Sequence, residues 1–557
     1  MSDFTMSLRT TAFLVTAFAL GLGLHYGVPS LEATPQGPGR GMGMMGRSAA
    51  SSDHFTESSS CALCHSASTN ATALWSPTGD DVSPHGTWKA TMMANSFRDP
   101  YWRAQVSKEV AAAADDSKKA EIQALCITCH GPVVHHEARL AGKDSPGVFA
   151  SYGNDLAEDG VTCTVCHQAQ GDTLGQPESF SGNLDIRAGR KIFGPYENPS
   201  ARPMLMHTGF EATHGPHIRD AGLCGSCHTL YTHHVPGAGA FPEQTPFLEW
   251  QNSAFSEEGS EDARSCQECH MPEVGEMRIA RNPAGFDFNI PVRDGYRAHT
   301  FVGGNAFMLD LLRRNSDELG VKADADALRR NARATRRQLA HETVELSVVD
   351  PEQGDGFVAF DVRVRNKTGH KFPTGYPARR AWLRVQVRAG RTVVFDSGAY
   401  GEDGRIQGLE DERAQPHHVM IQDPGQVQIY ESVAGDGEGR ATTYLTRMAT
   451  RLKDNRILPR GYRTDGPYAS DTAPTGIGVD ADFIGGEDRT RYRVSLPEGV
   501  SRGGVVVVAW MHYQSVPPAW VDPLRDVETE EAARFVRMYD AADKEPETVG
   551  VTVHVFE

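Results

Sequence analysis

No cysteine of this 557-residue chain stands alone, and none occurs after Cys269. All ten fall in five copies of one word: Cys61-Ala-Leu-Cys64-His65, Cys126-Ile-Thr-Cys129-His130, Cys163-Thr-Val-Cys166-His167, Cys224-Gly-Ser-Cys227-His228 and Cys266-Gln-Glu-Cys269-His270. A disulfide framework gives no reason for His to follow the second Cys each time. A thioredoxin-like dithiol needs one motif near a βαβ pattern, not five. A zinc site needs its cysteines in paired sets with their own ligand spacing. Basic excess is missing too: the formal net charge is −17, which points away from a nucleic-acid face. Charged residues are absent from Thr10 to Val28.

What is present is C-x-x-C-H, the attachment signature of c-type haem. The two thiols add to the porphyrin vinyl groups as thioethers, and the next residue, His, returns to the iron. Five words imply five covalently attached haems c. Cys61, Cys64, Cys126, Cys129, Cys163, Cys166, Cys224, Cys227, Cys266 and Cys269 are the attachment points, with His65, His130, His167, His228 and His270 as proximal ligands. Closely packed haems have one generic use, the movement of electrons. The acidic balance fits a soluble carrier whose partners present cationic patches.

Ala12 to Leu24 is an apolar stretch of signal-peptide size. Haem c is attached outside the bacterial cytoplasmic membrane, so an export signal is expected. Residues 1–33 therefore read as a signal peptide or a retained membrane anchor, and the absence of a nearby cysteine excludes a lipoprotein. Residues 34–60, rich in Gly, Met, Ser and Pro, read as a flexible linker, with Met42, Met44 and Met45 as low-complexity sequence.

Residues 61–303 hold every haem word. The first cysteines are spaced by 65, 37, 61 and 42 residues, a rhythm that suggests haems laid down in pairs. Helices are expected at Trp88 to Phe97, Tyr101 to Ala114 and Pro246 to Phe255. Residues 304–342 read as a helical connector with Phe307, Met308, Leu311 and Leu312 on one face. Its arginines, Arg329, Arg330, Arg333 and Arg336, are either solvated or set against haem propionates. From residue 343 to 557 the texture changes. Phe357 to Arg365, Trp382 to Val387, Tyr492 to Leu496 and Val551 to Val555 alternate with period two, and Val505 to Trp510 is a continuous apolar run. The fold class expected is a mostly α multihaem cytochrome domain built around its haems, followed by an all-β, sandwich-like domain.

The chain resembles multihaem cytochromes of the cytochrome c554-like group. The resemblance rests on Trp88-Lys-Ala-Thr-Met-Met-Ala-Asn-Ser-Phe-Arg-Asp-Pro100, Phe193-Gly-Pro-Tyr196, Leu223 to His228, Glu243 to Ser253, Cys266 to Pro272 and His299 to Asn305. Downstream, Asn366 to Gly375 and Lys453 to Pro459 are similar to the β-rich tail of exported proteins in that group. The family often writes Trp-x-x-Ser/Thr-x-His, ending in a distal haem ligand. Here the two such words end in Met93 and Phe255. A thioether can still ligate iron; a phenyl ring cannot.

Distal ligands must come from elsewhere among the 22 histidines. His135 and His136 follow His130 by five and six residues, and His233 and His234 repeat that offset after His228. They are too close to reach the far face of their own haem but can reach a neighbour. His299 and His370 lie in family words beside glycines that permit close approach. His85 stands near the first word. His217, with His207 and His214, precedes the fourth. His417, His418 and His512 read as ordinary polar residues, and His54 scores lowest.

The resemblance implies an exported pentahaem electron carrier, in the periplasm or at the cell surface. Its redox partners would be other cytochromes or a membrane quinol-linked complex. The alternative is an oxidoreductase acting on a small nitrogen or sulfur compound at a haem without a distal ligand. No C-x-x-C-K word supports it.

Overall fold

The structure, a computed structural model, describes residues 49–232, 239–498 and 504–557. The signal-peptide or anchor segment, the methionine cluster, His233 and His234 lie outside the described residues. Residues 49–557 form one compact unit.

The first half is helical and interrupted. Short helices carry the haem words, and three two-stranded sheets, at residues 191–214, 230–244 and 273–297, separate them. The Pro100–Ala111 helix starts where Asp99 accepts hydrogen bonds from the amides of Tyr101 and Trp102, with proline in the first turn. The helix expected at Trp88 to Phe97 is a correction: helix covers Pro84–Trp88 and turns follow. Asn95 donates to the carbonyls of Lys89 and Thr91, and Thr91 accepts from the Ala94 amide, so polar side chains take the bonds a helix would need. Residues 49–60 correct the end of the linker. Phe55 is fully buried against Val133 and Val165, and Asp159 accepts from both the amide and the hydroxyl of Ser58.

The second half is a sandwich of two antiparallel-dominated sheets. One orders Thr392–Ser397, Arg380–Ala389, Val505–Gln514 and Glu547–Val555, with Ile429–Tyr430 added to Arg380–Ala389. The other orders Met420–Ile421, Glu487–Ser495, Phe357–Asn366 and Val344–Gly354. Period-two alternation turns Val358, Phe360, Val362 and Val364 of one sheet toward Leu383, Val385 and Val387 of the other, with Val505, Val507 and Ala509 beside them. This region is not purely β. Pro518–Arg525 and Glu530–Asp540 are helices. Their Val521, Leu524, Phe535 and Met538 pack on Tyr101 and Ala104 of the first half and on Leu311 and Leu312 of the connector.

Among the described residues no helix is long and apolar enough to cross a membrane. Phe360 is fully buried and stacks on Tyr492, with ring centres 5.6 Å apart. Phe360→Ala is expected to cost about 3–5 kcal/mol, seen as a lower denaturant midpoint.

Candidate cofactor site

Each word sits on a turn of helix. Ser58–His65 carries the first, the last turn of Asp116–His130 the second, Cys163–Gln168 the third and Cys266–His270 the fifth. The fourth begins at the end of Ala221–Gly225 and continues through Ser226 in helical geometry. Helical spacing puts the two thiols three residues apart and the imidazole four from the first, all on one side. Local chemistry starts these turns. Asp220 accepts from the Gly222 amide, and Ser265 and Glu268 form a reciprocal cap before Cys266. Gly182 has φ +82°, and a Cβ there would lie 2.8 Å from the Cys129 Sγ, so only glycine fits.

One cavity of 1580 Å³ runs through the first half and along its boundary with the second, and every word opens on it. All ten cysteines, with the five word histidines, line its wall. Thiols of different words face each other. Cys61 pushes the Cys163 thiol up, with burial adding to it; Cys266 does the same to Cys224, and Cys129 to Cys227. Cys166 is pushed up to about 12 by burial and by Cys224 and Cys227. The first word therefore adjoins the third, the third the fourth, and the fourth both the second and the fifth.

Four of the five word imidazoles are held in one tautomer. A backbone carbonyl only accepts, so the nitrogen facing it carries the proton. Nδ1 of His65 donates to Ile279 O (2.9 Å), of His130 to Ser96 O (3.0 Å), of His167 to Phe193 O (2.6 Å) and of His270 to Val302 O (2.5 Å). Nε2 is left with its lone pair, the arrangement that metal-ligating histidines adopt. His299 and His370 repeat it, donating to Arg297 O (3.2 Å) and Lys371 O (2.9 Å). Burial lowers all of these groups: His130 and His370 fall to about 4, His299 to about 3. His228 also falls to about 4, through burial and then the neighbouring His270.

Two pairs of rings stand across the cavity from each other. His167 and His299 have centres 6.3 Å apart and planes 20° apart; for His270 and His370 the values are 6.2 Å and 12°. Two imidazoles bound to opposite sides of one metal, each through a bond of about 2 Å, have centres about 6 Å apart. Either gap has room for one metal ion between the rings.

The remaining candidates divide. His85 and Met93 line the cavity, as does Phe255, the other altered family position. Ser66 Oγ lies 3.2 Å from His85 Nδ1. His135, His136 and His217 are not part of the wall. His135 and His136 keep a buried Nε2 without a hydrogen-bond partner. His217 is turned the other way, with Nε2 donating to Ala169 O (2.9 Å), which leaves only Nδ1. Of the connector arginines, Arg336 pairs with Asp310 and Glu547, and none of the four reaches the cavity; Arg219, Arg264, Arg293, Arg297, Arg379 and Arg460 line it instead.

His417, Asp480 and Asp488 bring ligand atoms together in the sandwich. His417 Nδ1 accepts from the Gln428 and Asn455 amides (2.9 and 3.2 Å), so Nε2 carries the proton donated to Asp480 (2.8 Å). No imidazole lone pair faces the carboxylates, which makes this a structural cluster.

Sequence reasoning missed two groups on the segment Glu243 to Ser253. Glu249 is fully buried on the Pro246–Gln251 helix and joins Arg456, which pairs with Asp454, itself bound to Lys371 at 2.7 Å. Burial pushes Glu249 and Asp454 up, but Arg456 and Lys371 overcome it and hold both below the usual carboxylate range. The second group is a polar wall by the second word. Both carboxylate oxygens of Glu243 are buried without a hydrogen bond, near Tyr376, whose hydroxyl faces that of Tyr101 beside Gln105, and all four residues line the cavity. The available signal was an acid inside an apolar run, Phe247-Leu248-Glu249-Trp250.

No protein-family model and no curated protein matches the chain. A solved structure does. A penta-haem cytochrome c552 from Thermochromatium tepidum superposes with a TM-score of 0.52, covering 90% of this chain and 98% of that one at 16% identity. At that identity the likeness is one of fold. The donor set found here, ten thiols and five word histidines on one cavity, four of the five with Nε2 left as the lone pair, suits the cofactor named for that protein.

Glu243 is pushed up to about 8 by burial and by the Glu109 carboxylate. A raised carboxyl contributes stability at pH below its unfolded value, lost as pH rises toward 8, at about 1.4 kcal/mol per pH unit. Glu243→Gln is expected to flatten the fall in denaturant midpoint of the holoprotein between pH 5 and 8.

Proposed function

We propose that this chain is an exported pentahaem c-type cytochrome that passes electrons between redox proteins. The observation that carries the reading is the single cavity on which all ten thiols and all five word histidines converge. The cysteine pairs would hold each haem by thioethers, and His65, His130, His167, His228 and His270 would bind from the proximal side. His299 would complete the third haem opposite His167, and His370 the fifth opposite His270, as their ring separations support. His85 and Met93 are the cavity-wall candidates for a further axial position.

Haem iron supplies reversible one-electron chemistry, tuned by axial ligands, burial and hydrogen bonds. The chain's part is to fix imidazole tautomers through backbone carbonyls and to set the haems in contact. Partners would be other cytochromes or a membrane quinol-linked complex, met in the periplasm or at the cell surface. Haem c attachment requires export.

One observation favours a second reading, an oxidoreductase acting on a small nitrogen or sulfur compound. The buried, unpaired Glu243 carboxyl, raised to about 8 and set near the hydroxyls of Tyr376 and Tyr101, offers a proton donor to a polar guest near the second word. That reading predicts that hydroxylamine or sulfite reoxidises the reduced protein and that Glu243→Gln slows it. An unchanged rate in the variant removes it.

The carrier reading is tested by a pyridine haemochrome titration of mature protein. Five haems per chain are expected, and three or fewer would contradict it. His299→Ala is expected to convert one low-spin ferric signal to high spin and leave the haem count at five.

A further inference from the structure

Resting on the reading that His270 and His370 share the iron of the fifth haem, we propose that Glu249 is the positioning residue that fixes His370 as its axial ligand. Ligand and acid come from different parts of the fold. His370 lies in the turn after the Phe357–Asn366 strand; Glu249 lies on the Pro246–Gln251 helix of the first half.

The peptide that follows His370 is held at both ends. The Lys371 amide donates to Glu249 Oε2 (3.1 Å), and the Lys371 carbonyl accepts from His370 Nδ1 (2.9 Å). Glu249 Oε2 also accepts from the Thr374 hydroxyl (2.5 Å), so one oxygen spans both sides of the turn. Its other oxygen faces Arg456 (3.1 Å) and accepts from Thr245 (3.2 Å), which orients the carboxylate. The His370 carbonyl accepts from Asn366 Nδ2 (2.8 Å). Close contact completes the seat: a Cβ on Gly369 would lie 3.1 Å from Trp250 and 3.2 Å from Phe255, so the turn packs tightly on this segment.

Free rotation of His370 is thus removed at Nδ1, and free movement of its backbone is removed by a fully buried carboxylate. A hydrogen bond to a charged acceptor contributes about 1.5–3 kcal/mol, which corresponds to roughly tenfold or more in occupancy of the bound position. Phe255 takes no ligand role in this arrangement. It packs against the turn that brings His370 in.

The test is low-temperature EPR of the oxidised holoprotein, with haem count measured in parallel. His370→Ala identifies the low-spin signal of the fifth haem. In Glu249→Ala that signal is expected to give way to high spin with five haems retained, and added imidazole is expected to restore a low-spin signal. Glu249→Gln keeps an acceptor for the Lys371 amide but loses the charge; there, cyanide is expected to displace the His370 signal at about tenfold lower concentration than in wild type. If Glu249→Ala keeps the signal, or if cyanide titrates Glu249→Gln as it does wild type, the positioning role is overturned. If Glu249→Ala does not accumulate with five haems, the cyanide titration of Glu249→Gln decides alone. If His370→Ala itself leaves every low-spin signal in place, the ligand reading fails instead, and the two failures are distinguishable.

Discussion

The first half of this protein has a cavity where a core would be. Its buried apolar side chains form several small clusters around 1580 Å³ of space, and the wall of that space holds every cysteine. Protein interiors are close-packed, and on the proposed reading five haems would supply the apolar contacts that these small clusters leave unmade. That constraint accounts for the short helices, the many turns and the three small sheets: these segments wrap a filler and pack little on one another.

The β-sandwich works differently. It buries Val, Phe, Leu and Tyr from two facing sheets and needs nothing added. The two halves are nevertheless one unit. The Pro100–Ala111 helix, ahead of the second word, packs through Tyr101 and Ala104 on the C-terminal helices. It also anchors the loop at Thr443 to Thr446, through Lys108 (2.8 Å to Thr443 O) and Glu109 (2.8 Å from the Leu445 amide). A buried ionic network, Glu249–Arg456–Asp454–Lys371, crosses the same boundary. Such networks add little net stability but leave a costly unpaired charge when broken, so they favour one docked arrangement.

Much of this was legible in the chain because its signals are local. C-x-x-C-H needs no tertiary context, period-two alternation placed the strands at Phe357, Trp382, Tyr492 and Val551, and a continuous apolar run placed the one at Val505. Other features were hidden for physical reasons. Trp88 to Phe97 has helical composition, but Thr91 and Asn95 bond the backbone themselves. The Glu530–Asp540 helix carried a readable pattern, Thr529 before two acids and Ala532, Phe535 and Tyr539 on one face, inside a region dominated by strands. Which histidines face which could not be read, because His299 and His370 lie 132 and 100 residues from their partners (299 − 167, 370 − 270), and only the fold closes those distances. The order of the words in space was hidden for the same reason.

The proposed dependence of the first half on haem is open to direct measurement. Amide hydrogen exchange can be compared between the mature protein and the same chain produced without haem attachment. If haem is the core, residues 61–303 lose protection throughout in the haem-free chain, while the strands at 357–366, 380–389 and 505–514 keep theirs. Equal protection of residues 61–303 in both forms would show that this half folds on its own, and would contradict the account.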